Sequence, residues 1–232
     1  MLKKAFFNWS GGKDSALALY RLLNDQDFEI TTLLTSINAD SDRISMHGVR
    51  SELLFAQAKS IGLPIETLKL PSDISMSDYD TLMGDQVEDL KNKGATHAVF
   101  GDIFLEDLKK YREERLQEKG MKAVFPLWGN KTSLLIQEFI ALGFKTIVVA
   151  IDGSKLDKSF VGKVIDQSVI NDLPEGIDPC GENGEFHTFV FEGPIFKQPI
   201  KFSKGEVVAK EYVLNKQTSE KVTYWFQELL PV

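Results

Sequence analysis

The segment Ser10-Gly11-Gly12-Lys13-Asp14-Ser15 restricts the fold more than any other stretch of the chain. Ala5, Phe6, Phe7 and Trp9 precede it and predict a strand, and Ala16 to Leu23 follow with helical spacing. A strand that passes through adjacent glycines straight into a helix opens a βα unit. That turn presents backbone N–H groups and the positive end of a helix to an anion. Gly11 and Gly12 let the backbone approach a phosphate closely. Ser10 and Ser15 add hydroxyl donors, and Lys13 adds a cation. The ligand this predicts is a polyphosphate.

The rest of the first half repeats the unit. Strands are predicted at Lys3–Asn8, Ile30–Ser36, Ile65–Leu70, His97–Gly101 and Lys122–Phe125. Helices are predicted at Ser15–Asn24, Gly48–Ile61, Ser77–Lys93 and Phe104–Lys119. One helix between successive strands implies right-handed crossovers and a parallel sheet, with ligands beyond the strands' carboxyl ends. The glycine loop, Ser36, Gly101-Asp102 and Pro126-Leu127-Trp128 all fall at that edge. After a helix at Thr132–Leu142 and an apolar strand at Thr146–Ile151 the pattern changes. Short β-like runs follow at Phe186–Glu192, Pro199–Phe202, Val207–Leu214 and Lys221–Phe226. The expected organisation is an α/β domain over residues 1–128 with five parallel strands, then a smaller α+β domain over 129–232.

Composition narrows the classes. The net charge of −7 argues against nucleic acid and acidic membranes as bulk electrostatic partners. No apolar run reaches the roughly 18 residues of a membrane helix, and the first strand begins too early for a signal peptide. One cysteine, Cys180, excludes internal disulfides and fits a reducing cytoplasm. It reads as a small buried side chain, since no activating base stands near it in sequence.

The glycine loop is not a Walker loop, which places four residues between its glycines. It resembles the pyrophosphatase loop, Ser-Gly-Gly-x-Asp-Ser, of ATP-dependent ligases and tRNA-modifying enzymes. That resemblance implies an adenine nucleotide α-hydrolase-like domain that cleaves ATP between its α and β phosphates. ATP contacts then fall to Ser10, Gly11, Gly12, Lys13, Asp14, Ser15, Ser36 and Gly101. Magnesium is implied with the nucleotide, and Asp14 is its candidate protein contact.

A second polar cluster occupies Cys180-Gly181-Glu182-Asn183-Gly184-Glu185-Phe186-His187-Thr188. If Phe186 points to the core, alternation places Glu185 and His187 together on the opposite face. With Gly101-Asp102-Ile103, Pro126-Leu127-Trp128 and Gly193-Pro194-Ile195-Phe196, this cluster resembles the diphthine–ammonia ligase family over almost the full chain. The resemblance implies that ATP adenylates the carboxylate of diphthine on elongation factor 2 and that ammonia displaces AMP. Lys13, Asp14, Glu185 and His187 are the catalytic candidates it singles out. Substrate contacts are implied for His47, Asp102, Glu113, Gly181, Glu182, Asn183, Gly184, Glu185, His187 and Thr188. Glu185 and His187 either orient the ammonia and take its proton, or grip the cationic substrate. Tyr111, Asn183 and Met46 depart from the family pattern and leave the acceptor open. The competing readings are an adenylating enzyme with another acceptor, such as tRNA or a small carboxylate, and a non-catalytic ATP sensor. Edge strands in the second domain leave room for a homodimer.

Overall fold

Ala5, Phe6 and Phe7 are at most 1% exposed. They make β1 (Lys3–Asn8) a strand covered on both faces, which is why it reads as an unbroken apolar run. The computed structural model describes residues 2–44, 47–215 and 220–232. The chain continues through α1 (Lys13–Leu23), β2 (Phe28–Asn38), β3 (Arg43–Ile44), α2 (Ser51–Ile61) and β4 (Ile65–Leu70). It proceeds through α3 (Met76–Asn92), β5 (His97–Val99), α4 (Glu106–Glu118) and β6 (Lys122–Val124). Strands β4, β2, β1, β5 and β6 lie side by side in that order, all parallel. Short β3 adds antiparallel pairs to the end of β2 at Ile37 and Asn38. From β1 the chain moves to β2 and β4 on one side, and only later to β5 and β6 on the other. The crevice at this reversal opens beyond the carboxyl ends of β1 and β5, where α/β sheets bind ligands.

The second half builds α5 (Thr132–Ala141), β7 (Lys145–Asp152), α6 (Gln167–Asn171), β8 (Phe186–Glu192), β9 (Phe202–Asn215) and β10 (Glu220–Pro231). Its four strands form an antiparallel sheet in the order β8-β7-β10-β9. One apolar cluster joins the two halves. It runs from Phe7, Trp9 and Leu19 to Phe139, Ile147 and Phe189. Phe6, on the opposite face of β1, belongs to a separate cluster with Val87, Leu90, Phe100 and Leu116 of the α3–α4 side. Each fully buried aromatic contributes about 1.5–3 kcal/mol. Arg21 of α1 grips Glu138 of α5 through two bonds of 2.6 and 3.2 Å and donates to Pro126 O at 2.9 Å, tying the connecting segment down.

Several boundaries differ from expectation. Helix α2 starts at Ser51 rather than Gly48, because Gly48 has φ 67° and Arg50 is extended. Pro199–Phe202 is not a strand. Ile200 N–H reaches Phe191 O at 2.7 Å, and regular pairing begins at Phe202. The two short runs after it are the middles of 14- and 12-residue strands that pair as one hairpin. The departure at Met46 lies outside the described residues.

Candidate active site

The glycine loop leaves β1 at the crevice. Gly11 has φ 77°, a conformation that L side chains rarely adopt. Gly12 is the N-cap of α1 and has no side-chain cap, so the helix start stays open to an anion. Ser15 donates its hydroxyl to Gly12 O at 2.9 Å, which leaves its oxygen to accept from Ser10 at 3.0 Å. Ser10 Oγ also accepts the Gly12 N–H at 3.3 Å. Gly101, just past β5, lies against the first turn of α1. A Cβ there would stand 3.0 Å from Ser15 N and 3.2 Å from Asp14 C. The glycine is what allows β5 to approach the loop.

Lys13 is 3% exposed and turns into the second constellation. Its Nζ pairs with Asp14 at 2.8 Å, donates to the Cys180 carbonyl and lies over the Phe186 ring at 5.3 Å. Its backbone N–H donates to Thr188 Oγ1 at 3.0 Å. Thr188 is 2% exposed, so its hydroxyl docks β8 on the glycine loop. His47 Nδ1 lies 3.0 Å from Thr188 O. A carbonyl only accepts, so Nδ1 carries the proton of the neutral ring. Glu182 Oε1 accepts from Ile103 N–H at 2.9 Å. Gly181, with φ 69°, bends the segment so tightly that a Cβ would stand 2.8 Å from Phe186 O.

These groups surround one cleft of about 1380 Å³. Ser10, Gly12, Lys13, Asp14, Ser15, Ser36 and Gly101 line one part of it. His47, Asp102, Gly181, Glu182, Asn183, Gly184, His187 and Thr188 line another. Three candidates fall elsewhere: Gly11, whose carbonyl turns away from the cleft to Gln57 and Val190, Glu185 and Glu113. Glu185 is 2% exposed, and its Oε1 accepts from Asp178 N–H at 3.2 Å and Asn183 Nδ2 at 3.1 Å. It holds its own loop and is not a lining residue. Phe186 is buried as expected, but Glu185 does not share a face with His187, because it precedes the strand at a bend set by Gly184 with φ 79°. Glu113 sits on the outer face of α4 with a side chain 51% exposed, 4.0 Å from Lys109.

Burial dominates the electrostatics. It pushes the Asp14 and Asp102 carboxyls up, partly offset by Lys13 and Arg112 respectively. It pushes Glu182 to about 7, against the bond from Ile103 N–H and with help from the Asp14 charge. Burial pulls Lys13 down, yet the Asp14 and Glu182 carboxylates outweigh it and leave the ammonium above its usual value. Burial also takes His47 to about 4 and His187 to about 3, so both are neutral near pH 7. Their rings lie 4.8 Å apart.

The donor set fits a magnesium-loaded nucleotide. A polyphosphate at the loop would face the Asp14, Asp102 and Glu182 carboxyls with Lys13 already engaged, and a divalent cation between them would relieve that repulsion. Among the described residues no three metal-ligating side chains converge. Magnesium is ordinarily held by one or two carboxylates, water and substrate phosphates, so that arrangement suffices.

Two residues escaped the sequence reading. Arg112 stands among the charged residues Lys109, Lys110, Glu113, Glu114 and Arg115, a run that by sequence alone suits a solvated helix face. It lines the cleft, bonds Asp102 and lies 4.4 Å from the Phe100 ring centroid. Its signal was present, since it stands at helical spacing with Leu105, Leu108 and Leu116, which mark the inner face. Gln57, 0% exposed, carried no comparable signal.

The diphthamide synthase N-terminal domain matches residues 3–123, and the diphthamide synthase C-terminal domain matches residues 131–220. The diphthine–ammonia ligase of Bos taurus is 27% identical over 220 residues, 86% of this chain and 82% of that protein. The Homo sapiens protein of that name is 26% identical with the same coverage. The Danio rerio protein is 28% identical over 222 residues, 86% of each chain. A U34-tRNA thiolase from Methanococcus maripaludis superposes at a TM-score of 0.37 with 18% identity, covering 60% of this chain and 57% of that one. With the two domain matches spanning most of its length, the chain belongs to the diphthamide synthase family.

Proposed function

We propose that the protein is an ATP-dependent amide ligase that adenylates the carboxylate of diphthine on elongation factor 2 and passes ammonia to it. The observation that carries this reading is that the glycine loop and the Gly181–Thr188 segment face one cleft. The relatives' name, diphthine–ammonia ligase, supports the same acceptor and nucleophile.

A carboxylate reacts poorly with ammonia because its leaving group is oxide. Attack of a carboxylate oxygen on the α-phosphorus forms an acyl-adenylate and releases pyrophosphate. Ammonia then attacks the acyl carbon, loses a proton and expels AMP. The open start of α1 would hold the phosphates, a preorganised electrostatic role, and the Ser10 and Ser15 hydroxyls, bonded to each other and to Gly12 O, brace the loop that presents it. Asp14 would hold magnesium, which neutralises phosphate charge when bound. Lys13 keeps the acceptor segment closed on the loop through Cys180 O. Glu182 lines the cleft and Glu185 does not, which supports Glu182 over Glu185 as the carboxylate that would meet the ammonia or its proton.

The test is nucleotide product analysis with ATP, magnesium and ammonium, with and without diphthine-bearing elongation factor 2. AMP and pyrophosphate that depend on the modified factor are expected. ADP and phosphate would overturn the chemistry, and AMP without that dependence would overturn the acceptor.

A further inference from the structure

We propose that Gln57 aims the glycine loop at the nucleotide, acting as a positioning residue for phosphate binding. This rests on the nucleotide reading above. Gln57 lies in α2 and is fully buried. A buried amide must satisfy two N–H donors and one carbonyl acceptor. Gln57 Nε2 donates to Gly11 O at 3.0 Å and to Val190 O at 2.6 Å. Its Oε1 accepts from Trp9 Nε1 at 3.0 Å. One side chain thus joins the end of β1, the glycine loop and β8.

The consequence follows from the peptide plane. In a trans peptide the carbonyl of one residue and the N–H of the next point in opposite directions. No cis peptide is present among the described residues. Gly11 O is held from two sides, by Gln57 Nε2 and by Val190 N–H at 2.9 Å. The Gly12 N–H must therefore face the other way. Its acceptor is Ser10 Oγ at 3.3 Å, and both residues line the cleft. That bond is long, and a phosphate oxygen competes for its donor readily. Gly11 fits the arrangement because any Cβ there would stand 2.7 Å from Gln57 Oε1.

Two variants separate orientation from general support. Gln57→Glu keeps an acceptor for Trp9 but sets carboxylate oxygen against two carbonyls. Gln57→Met fills similar volume with no donor, and it carries the test if the charged variant fails to fold. The readouts are equilibrium binding of magnesium-ATP and of adenosine, which lacks phosphates, alongside thermal unfolding. Loss of one charge-assisted bond weakens ATP binding at least about tenfold, while adenosine affinity stays within about twofold. Unchanged ATP affinity, or equal weakening of ATP and adenosine, would overturn the proposal. A wild-type protein that binds neither ligand would overturn the nucleotide reading and the proposal with it.

Discussion

Replacing Lys13 by methionine tests how the two halves of the site are joined. The side chain keeps most of its length and loses its charge. Two groups lose a partner: the Asp14 carboxylate, paired at 2.8 Å, and the Cys180 carbonyl. Removing one member of a buried ion pair costs about 3–5 kcal/mol, and an orphaned buried carbonyl adds about 1–3 kcal/mol. The Asp14 side chain is 28% exposed, so water recovers part of the loss. The net is roughly 3 kcal/mol, which lowers the melting temperature of a chain this size by roughly 6–12 °C. The assay is calorimetry of the ligand-free protein near pH 7.5, where no nucleotide contributes. The same variant should open the 178–184 segment to limited proteolysis. A melting temperature within about 1 °C of wild type would refute the reasoning, for it would mean that the Lys13 ammonium reaches open solvent rather than the Cys180 carbonyl.

Four further outcomes follow from the geometry. Gly101→Ala presses a Cβ on Ser15 N and Asp14 C and should cost about 1–3 kcal/mol, with ATP affinity down about tenfold in isothermal titration; normal stability and binding would show that α1 has room to spare. His187 has a folded pKa of about 3 against 6.5, so its contribution is present above pH 6.5 and lost as pH falls towards 3; His187→Gln should flatten the acid limb of the melting-temperature profile, and superposable limbs would contradict this. Glu182 is the reverse case, with a folded pKa of about 7 against 4.5, so its contribution is present below pH 4.5 and lost as pH rises through 7. Glu182→Gln should therefore raise the melting temperature above pH 7 and leave it unchanged below pH 4.5, and an equal shift at both ends would contradict the assignment. Glu113→Ala should change stability by less than about 0.5 kcal/mol and leave the acceptor KM alone, and a raised KM would place the outer face of α4 in the acceptor interface.

What could be read from the sequence was local. β1 and β4 have the expected boundaries because β1's apolar run ends before Ser10-Gly11-Gly12 and β4 ends at Pro71. The crevice followed from the order of βα units, since handedness leaves few ways to arrange them. The long β9–β10 hairpin was harder. Lys204, Glu206, Lys210 and Glu211 are exposed along it, and this charge hides the strand pattern until cross-strand pairing is known. Glu185 shows the limit of alternation, which holds within a strand but not across the Gly184 bend before it. Gln57 was invisible for another reason. A glutamine inside an amphipathic helix reads as surface, and only tertiary contacts reveal that its amide is enclosed by backbone carbonyls and an indole.

The most direct test of the central claim follows an oxygen atom. Diphthine-bearing elongation factor 2 with heavy oxygen in its substrate carboxylate is incubated with the protein, ATP, magnesium and ammonium, and the nucleotide products are examined by mass spectrometry. Adenylation of the carboxylate predicts one heavy oxygen in AMP and none in pyrophosphate. Heavy oxygen in inorganic phosphate, or amide formed with unlabelled AMP, would contradict it.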